Sequence, residues 1–193
     1  LADKKREEAQ EERKDVAEDI QTIIRKDEEK TEEIIREGQL GLALLYPNSS
    51  VARFVLIDKR DGSELRRSAI DTIQGRSVLR TANGLYAIAG DASGTVRIVA
   101  VDPLKLEVLS QSTDAVHVSS LLWAQGNDLF AVITLEGKNW FARFDKDLRR
   151  VARSQIAVHP WTSPVFLEGG LLSLQDERGQ PLVLRASDLA KQQ

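Results

Sequence analysis

The chain has 193 residues, a formal charge of −3 and no cysteine. That length holds one ordinary domain with an appendage. The missing thiol excludes disulfides, cysteine nucleophiles and thiolate-held zinc or iron–sulfur centres, and the mild charge gives no electrostatic footprint for nucleic acid.

Charge and aromatic content are unevenly spread. Residues 1–37 carry nine Lys/Arg against fourteen Asp/Glu and no aromatic residue, whereas all ten aromatics lie in 38–193. This shift predicts a charged helix over 1–37 and a β domain over 38–193. The first stretch is made of good helix formers, with no proline or glycine until Gly38, a natural C-terminal stop. Such a helix is roughly 55 Å long, so part of it must project.

Ala2, Ala9, Val16 and Ile23 fall seven apart, and Val16, Ala17, Ile20, Ile23 and Ile24 form a short apolar face. Two readings stay open. One is a solvated helix whose last turns dock on the following domain. The other is the end of a coiled coil that pairs with another helix, which makes the helix a candidate homo-oligomerisation arm. An excess of acids argues against a membrane-surface helix, and no apolar run approaches the roughly 18–20 residues of a spanning one. No direct membrane insertion is expected. Methionine is also absent, which predicts a fragment of a longer protein.

From Gly38 the pattern changes to short strands divided by turns. Four stretches share one outline: GLALLYPNSSVARFVLID, GLYAIAGDASGTVRIVAVD, DLFAVITLEGKNWFARFD and GLLSLQDERGQPLVLRASD. Each reads as a hairpin that closes near an acid. Asp58, Asp102 and Asp145 stand 44 and 43 apart, and Ser187 or Asp188 lies 42 or 43 further on. Ser68, Ser112 and Ser154 follow these acids by ten, ten and nine residues. A second series, Ser77, Ser120 and Ser163, precedes the next hairpin by eight or nine.

Repetition at 40–50 residues with four short strands per unit predicts a small or incomplete β-propeller of about four antiparallel blades, since a lone blade cannot cover both apolar faces. The Asp and Ser anchors read as partners of backbone groups at tight turns. The first strand, GLALLY, and the last, QPLVLRASDL, are expected to meet as a hairpin that latches the ring. About 20 residues of that blade are missing by the repeat arithmetic, and the helix's C-terminal turns are expected to cover the gap.

The blade outline, with LIDKRDGSEL and SPVFLEGGLL, resembles the quinoprotein-type repeat. DKRDG (58–62) fits that repeat's acid-x-x-x-Gly turn. No tryptophan follows in register and later units lose the glycine, so the resemblance implies the fold and no quinone cofactor. The charged helix leading into this repeat resembles the 83/100-kDa antigen family of spirochaetes. The residues that carry the likeness are EGKNWFARFDKDLRRVARS (136–154), TSPVFL (162–167) and EEKTEEIIREGQ. The resemblance implies the C-terminal portion of an extracytoplasmic, envelope-associated antigen (periplasmic or outer-membrane associated). It implies no enzymatic activity, and it supplies no catalytic residues.

The search for chemistry returns little. His117 and His159 are 42 apart, at matching places in adjacent units. Two histidines with no acid beside them make a poor metal site and read as turn residues. No G-x-S-x-G occurs, and neither DASG nor DKRDG has the alternating oxygen ligands of a calcium loop. Neither metal nor cofactor is expected. Arg149, Arg150 and Arg153, with Arg66 and Arg67, follow the repeat acid at similar places and are expected to line one face. Trp123, Trp140 and Trp161 read as packing between blades.

The preferred reading is a non-enzymatic module that binds a protein partner through its loops or edge. Its candidate surface is Arg66, Arg67, Arg149, Arg150, Arg153, His117 and His159. The alternative is a propeller that binds a small ligand or saccharide in a central polar pocket lined by His117 and His159, with catalysis left open.

Overall fold

The structure is a computed structural model. It describes residues 2–47 and 50–193, with the side chains of residues 2, 3 and 75–77 left aside. The fold is mainly β, with one N-terminal helix and antiparallel sheets. The chain divides into two compact units, Leu1–Ala43 with Val55–Arg66, and Leu44–Phe54 with Arg67–Gln193.

The first unit holds helix α1 (Ala2–Arg36), most of strand β1 (Leu40–Leu45), the end of β2 (Val51–Asp58) and most of β3 (Glu64–Arg67). Strands β1 and β3 both pair with β2. Gly38 ends the helix at φ +68°, a conformation glycine adopts without steric cost. Its N–H donates to Ile35 O at 3.0 Å, and that of Gln39 to Ile34 O at 2.9 Å, so the last carbonyls are satisfied. Ile34 is buried, and Arg60 ties Glu37 (3.0 Å) to Asp58 (2.7 Å). Hydrogen bonds from Arg60 hold the Asp58 carboxyl below the usual carboxylate range. Further along the helix the apolar stripe is uncovered: Val16, Ile20, Ile23 and Ile24 are each more than half exposed.

The second unit repeats a four-strand outline. After the start of β2 come β4 (Ile73–Thr81), β5 (Gly84–Gly90), β6 (Val96–Val101) and β7 (Val108–Gln111), paired in that order. Next are β8 (Trp123–Gln125), β9 (Asp128–Leu135), β10 (Lys138–Phe144) and β11 (Arg150–Arg153), again a meander. Last are β12 (Val165–Leu167), β13 (Leu171–Gln175) and β14 (Pro181–Arg185). Among the described residues, the expected hairpin of β1 with β14 is not formed: β14 pairs with β13. Residues 190–192 take the outer edge of β14 instead, through Arg185 N–H to Ala190 O and Gln192 N–H to Val183 O, both 2.9 Å.

Side chains of the central meander explain its apolar runs. Along β9, Leu129, Ala131 and Ile133 enter one core cluster with Tyr86, Ile88 and Ile98. The alternate residues Phe130 and Val132 enter another with Leu172, Leu174 and Leu184. A strand with period-two side chains that is buried on both faces must be apolar throughout. Phe130 stacks on Phe141 at 5.7 Å and meets Phe166 edge-on at 5.4 Å.

The turn after each second hairpin strand is built alike. Gly62 N–H donates to Asp58 O, Leu106 N–H to Asp102 O and Leu189 N–H to Arg185 O, each at 2.8 Å. Leu148 N–H closes the shorter turn on Asp145 O at 3.0 Å. In the fourth turn the main-chain place falls to Arg185, while Asp188 does the side-chain work of the repeat acid, its Oδ1 accepting the N–H two residues on as those of Asp58, Asp102 and Asp145 do. A main-chain carbonyl suffices for the turn, and Asp188 supplies its carboxylate from inside it, to Ala190 N–H and to Arg185. Gly62 sits at φ +72°, and the residues replacing glycine keep that conformation: Leu106 at +58°, Leu148 at +61° and Leu189 at +57°. A left-handed leucine costs roughly 1–2 kcal/mol. All three are almost fully buried, which returns about 1.5–3 kcal/mol each.

Candidate functional site

The polar residues that recur with the repeat are spent on the backbone. Ser68, Ser112 and Ser154 are buried. Their Oγ atoms accept the N–H of Phe54 (3.0 Å), Ile98 (3.1 Å) and Phe141 (3.0 Å), and donate to the carbonyls of Ile70, Asp114 and Ile156. The second series works at the next hairpin. Ser120 Oγ accepts Val132 N–H at 2.9 Å, and Thr162 Oγ1 accepts Gln175 N–H at 2.8 Å. Thr162 thus does the work expected of its neighbour Ser163, while the Ser77 side chain lies outside the described residues.

Between these anchors a short segment crosses from one meander to the next and bonds to both. Val116 N–H reaches Val96 O (2.9 Å), and Thr134 N–H reaches Ala115 O (3.1 Å). One repeat later, Val158 N–H reaches Asn139 O (2.9 Å), and Glu177 N–H reaches Ala157 O (3.1 Å).

The two histidines end these crossings. His117 N–H donates to Val132 O, and His159 N–H to Gln175 O. Each imidazole then turns back on its own loop: Nδ1 of His117 accepts Ser119 N–H, and Nδ1 of His159 accepts Trp161 N–H, both at 3.1 Å. An accepting Nδ1 requires the neutral ring. Burial, with the charge of His159 as a lesser cause, pushes the His117 pKa down. A lowered histidine pKa gives stability that is complete above the unfolded value of about 6.5 and is lost as pH falls through the folded value. The melting temperature is therefore expected to start falling as pH drops below about 7, above the range where most carboxylates titrate. His117→Asn keeps an acceptor for Ser119 N–H and should flatten that slope; an unchanged slope would contradict the capping role.

Loops 117–121 and 159–163 occupy equivalent positions and, with Trp123, line a cleft of about 380 Å³. Trp123 leans on Phe141 at 6.0 Å. Trp161 does not pack between sheets as expected: it is 73% exposed. His159 binds its amide N–H and makes no hydrogen bond to its indole. Val118 and Leu121 are exposed beside it, and none of the lining residues is ionisable.

The basic residues do not gather at this cleft. Arg150 pairs with Asp114 at 3.4 Å, and Arg153 lies 4.3 Å over the Trp140 ring. Arg149 is exposed at the turn before β11, where its N–H reaches Asp145 Oδ1. Arg66 and Arg67 close β3 and fall in different units. Among the described residues, no group of three or more His, Asp or Glu is placed to hold a metal ion. No described helix is long and apolar enough to cross a membrane.

The model of the family described as Borrelia P83/100 protein matches residues 1–164. No curated protein matches the chain. Among solved structures, the computationally designed Ika8 protein is similar with a TM-score of 0.50 at 14% identity, over 78% of this chain and 46% of that one. The chain thus spans less than half the length of that relative. The computationally designed Ika4 protein gives a TM-score of 0.48 at 14% identity, over 76% and 92% of the two chains. A chain from a structural and mechanistic study of two prolyl endopeptidases gives 0.47 at 16%, over 81% and 25%.

Proposed function

The chain belongs to the Borrelia P83/100 protein family, and from that premise we propose that it is a non-enzymatic binding module of an envelope-associated, extracytoplasmic antigen. Its β region is a small open propeller of four units, and α1 is a spacer that pairs with a second copy of the chain. The observation that carries the reading is the fate of the periodic polar residues. Among the described residues, Asp58, Asp102, Asp145, Ser68, Ser112, Ser154, Ser120, Thr162, His117 and His159 serve backbone groups, so the repeat spends these side chains on holding its loops. What remains for a partner is an exposed cleft on the loops and an exposed stripe on the helix.

The family supports the antigen and envelope assignment. The crossing segments support the propeller, because each bonds to two successive meanders as blade-to-blade connections require. The helix stripe supports pairing. Val16, Ile20, Ile23 and Ile24 leave a narrow apolar seam in water on an otherwise charged helix, and burying such a seam against a second copy is the coiled-coil solution.

Sedimentation of the full chain tests the helix assignment. A particle mass of two or more chains is expected, falling to one chain in Ile20→Asp/Ile23→Asp, with the β signature in circular dichroism unchanged. A monomer in the unsubstituted protein would remove the pairing role.

A further inference from the structure

In the cleft lined by residues of loops 117–121 and 159–163, exposed aromatic area and unspent polar groups coincide. Trp161 presents most of its surface to water, and Trp123 is also among the lining residues. Among the described residues, neither indole N–H has a hydrogen-bond partner, and the same holds for the hydroxyls of Ser119 and Ser163. Four neutral donors therefore belong to residues that line this hollow together with two indole rings.

We infer that this cleft is a subsite for a neutral saccharide, with the Trp161 indole as its platform. The inference rests on the reading of the β region as a binding module and names the ligand class.

Each ligand class is weighed by what the lining offers. A phosphate, nucleotide or acidic peptide needs a counter-charge, and no lining residue carries one. The two histidines behind the loops have their Nδ1 atoms committed to main-chain N–H groups. A purely apolar ligand would bury the Ser119 and Ser163 hydroxyls without partners, which costs binding energy. A proline-rich peptide needs a groove with successive aromatic slots, whereas this hollow, at about 380 Å³, is at the small end of ligand-pocket size. A pyranose meets every condition. It has an apolar C–H face for an indole and hydroxyls around its rim, and it bears no charge. Large, rigid indoles with a polar edge suit such mixed contacts at low entropic cost.

The test is an NMR titration of the full chain labelled with nitrogen-15, following the amide signals of Leu121, Trp161 and Ser163. The probes are a β-linked N-acetylglucosamine trisaccharide, a β-linked glucose trisaccharide and a proline-rich peptide of ten residues. Saturable shifts of these amides with at least one trisaccharide are expected, and Trp161→Ala should weaken that binding at least tenfold. Trp161 is exposed, so this variant should keep the unsubstituted amide spectrum outside the two loops. No saturable shift up to roughly 10 mM of either sugar would overturn the proposal. Shifts with the peptide alone would overturn the saccharide assignment and leave the binding-module reading standing. Cleavage of a trisaccharide during the titration would overturn the non-enzymatic reading and leave the saccharide assignment standing.

Discussion

Leu148→Gly is expected to cost about 2–4 kcal/mol of unfolding free energy, and Leu148→Ala about 3–5. Both remove a side chain that is 1% exposed and packed with Phe144, Ala131 and Ile133. The cavity is the same to within one methyl group. The backbone term separates them, because Leu148 sits at φ +61°. Alanine keeps the left-handed strain there and glycine relieves it. The glycine variant should therefore be the more stable of the two, the reverse of their order in a helix. Gly62→Ala is the complementary case, at φ +72° with nothing within 4 Å of the added methyl, and should lose only about 1 kcal/mol. Urea unfolding of the four proteins decides it. A glycine variant less stable than the alanine variant would contradict the account of this turn.

Ser154→Ala should be nearly as damaging, at about 2–4 kcal/mol. The residue is fully buried, and its one hydroxyl serves two backbone groups, accepting Phe141 N–H and donating to Ile156 O. Without it, both lose their partner away from water, at roughly 1–3 kcal/mol apiece, offset in part by relaxation. The exposed Ser110→Ala, on β7, should stay within about 0.5 kcal/mol of the unsubstituted protein. Equal midpoints for the two variants would sink the anchoring role.

Leu148 and Ser154 also mark how far the amino-acid sequence alone is legible. Ser68, Ser112 and Ser154 can be found in it because a hydroxyl beside an apolar strand at a fixed interval has few duties besides the backbone. The charged helix and its stop at Gly38 are equally plain from composition. Leu106 and Leu148 are opaque. A left-handed turn is sought through glycine, and leucine keeps the conformation here only because burial offsets the strain. Arg185 escapes for a related reason: it gives the turn only its carbonyl, and the carboxylate that Asp58, Asp102 and Asp145 supply from that place comes from Asp188 instead. Residue identity favours Ser163 over Thr162, but position decides between them.

The cleft is half visible. Spacing pairs His117 with His159 correctly, but it does not show what they hold. A ring nitrogen that caps a main-chain N–H two residues on leaves no compositional trace. Tryptophan in a repeat protein reads as packing, and nothing in the residue types around Trp161 marks its side chain as exposed. The basic residues read as one face because they share a place in the repeat. Asp114, which engages Arg150, lies far from it in sequence, and Trp140, which engages Arg153, sits on the neighbouring strand.

Periodic polar side chains that fasten the backbone leave their mark on the exchange of the amides they hold. Hydrogen exchange resolved by residue measures that directly. The amides of Ile98, Phe141, Val132 and Gln175, each held by an anchoring hydroxyl, should be protected to similar degrees, while that of Ser163 exchanges at the rate of an open loop. Loop-like exchange at Phe141 and Val132 would contradict it.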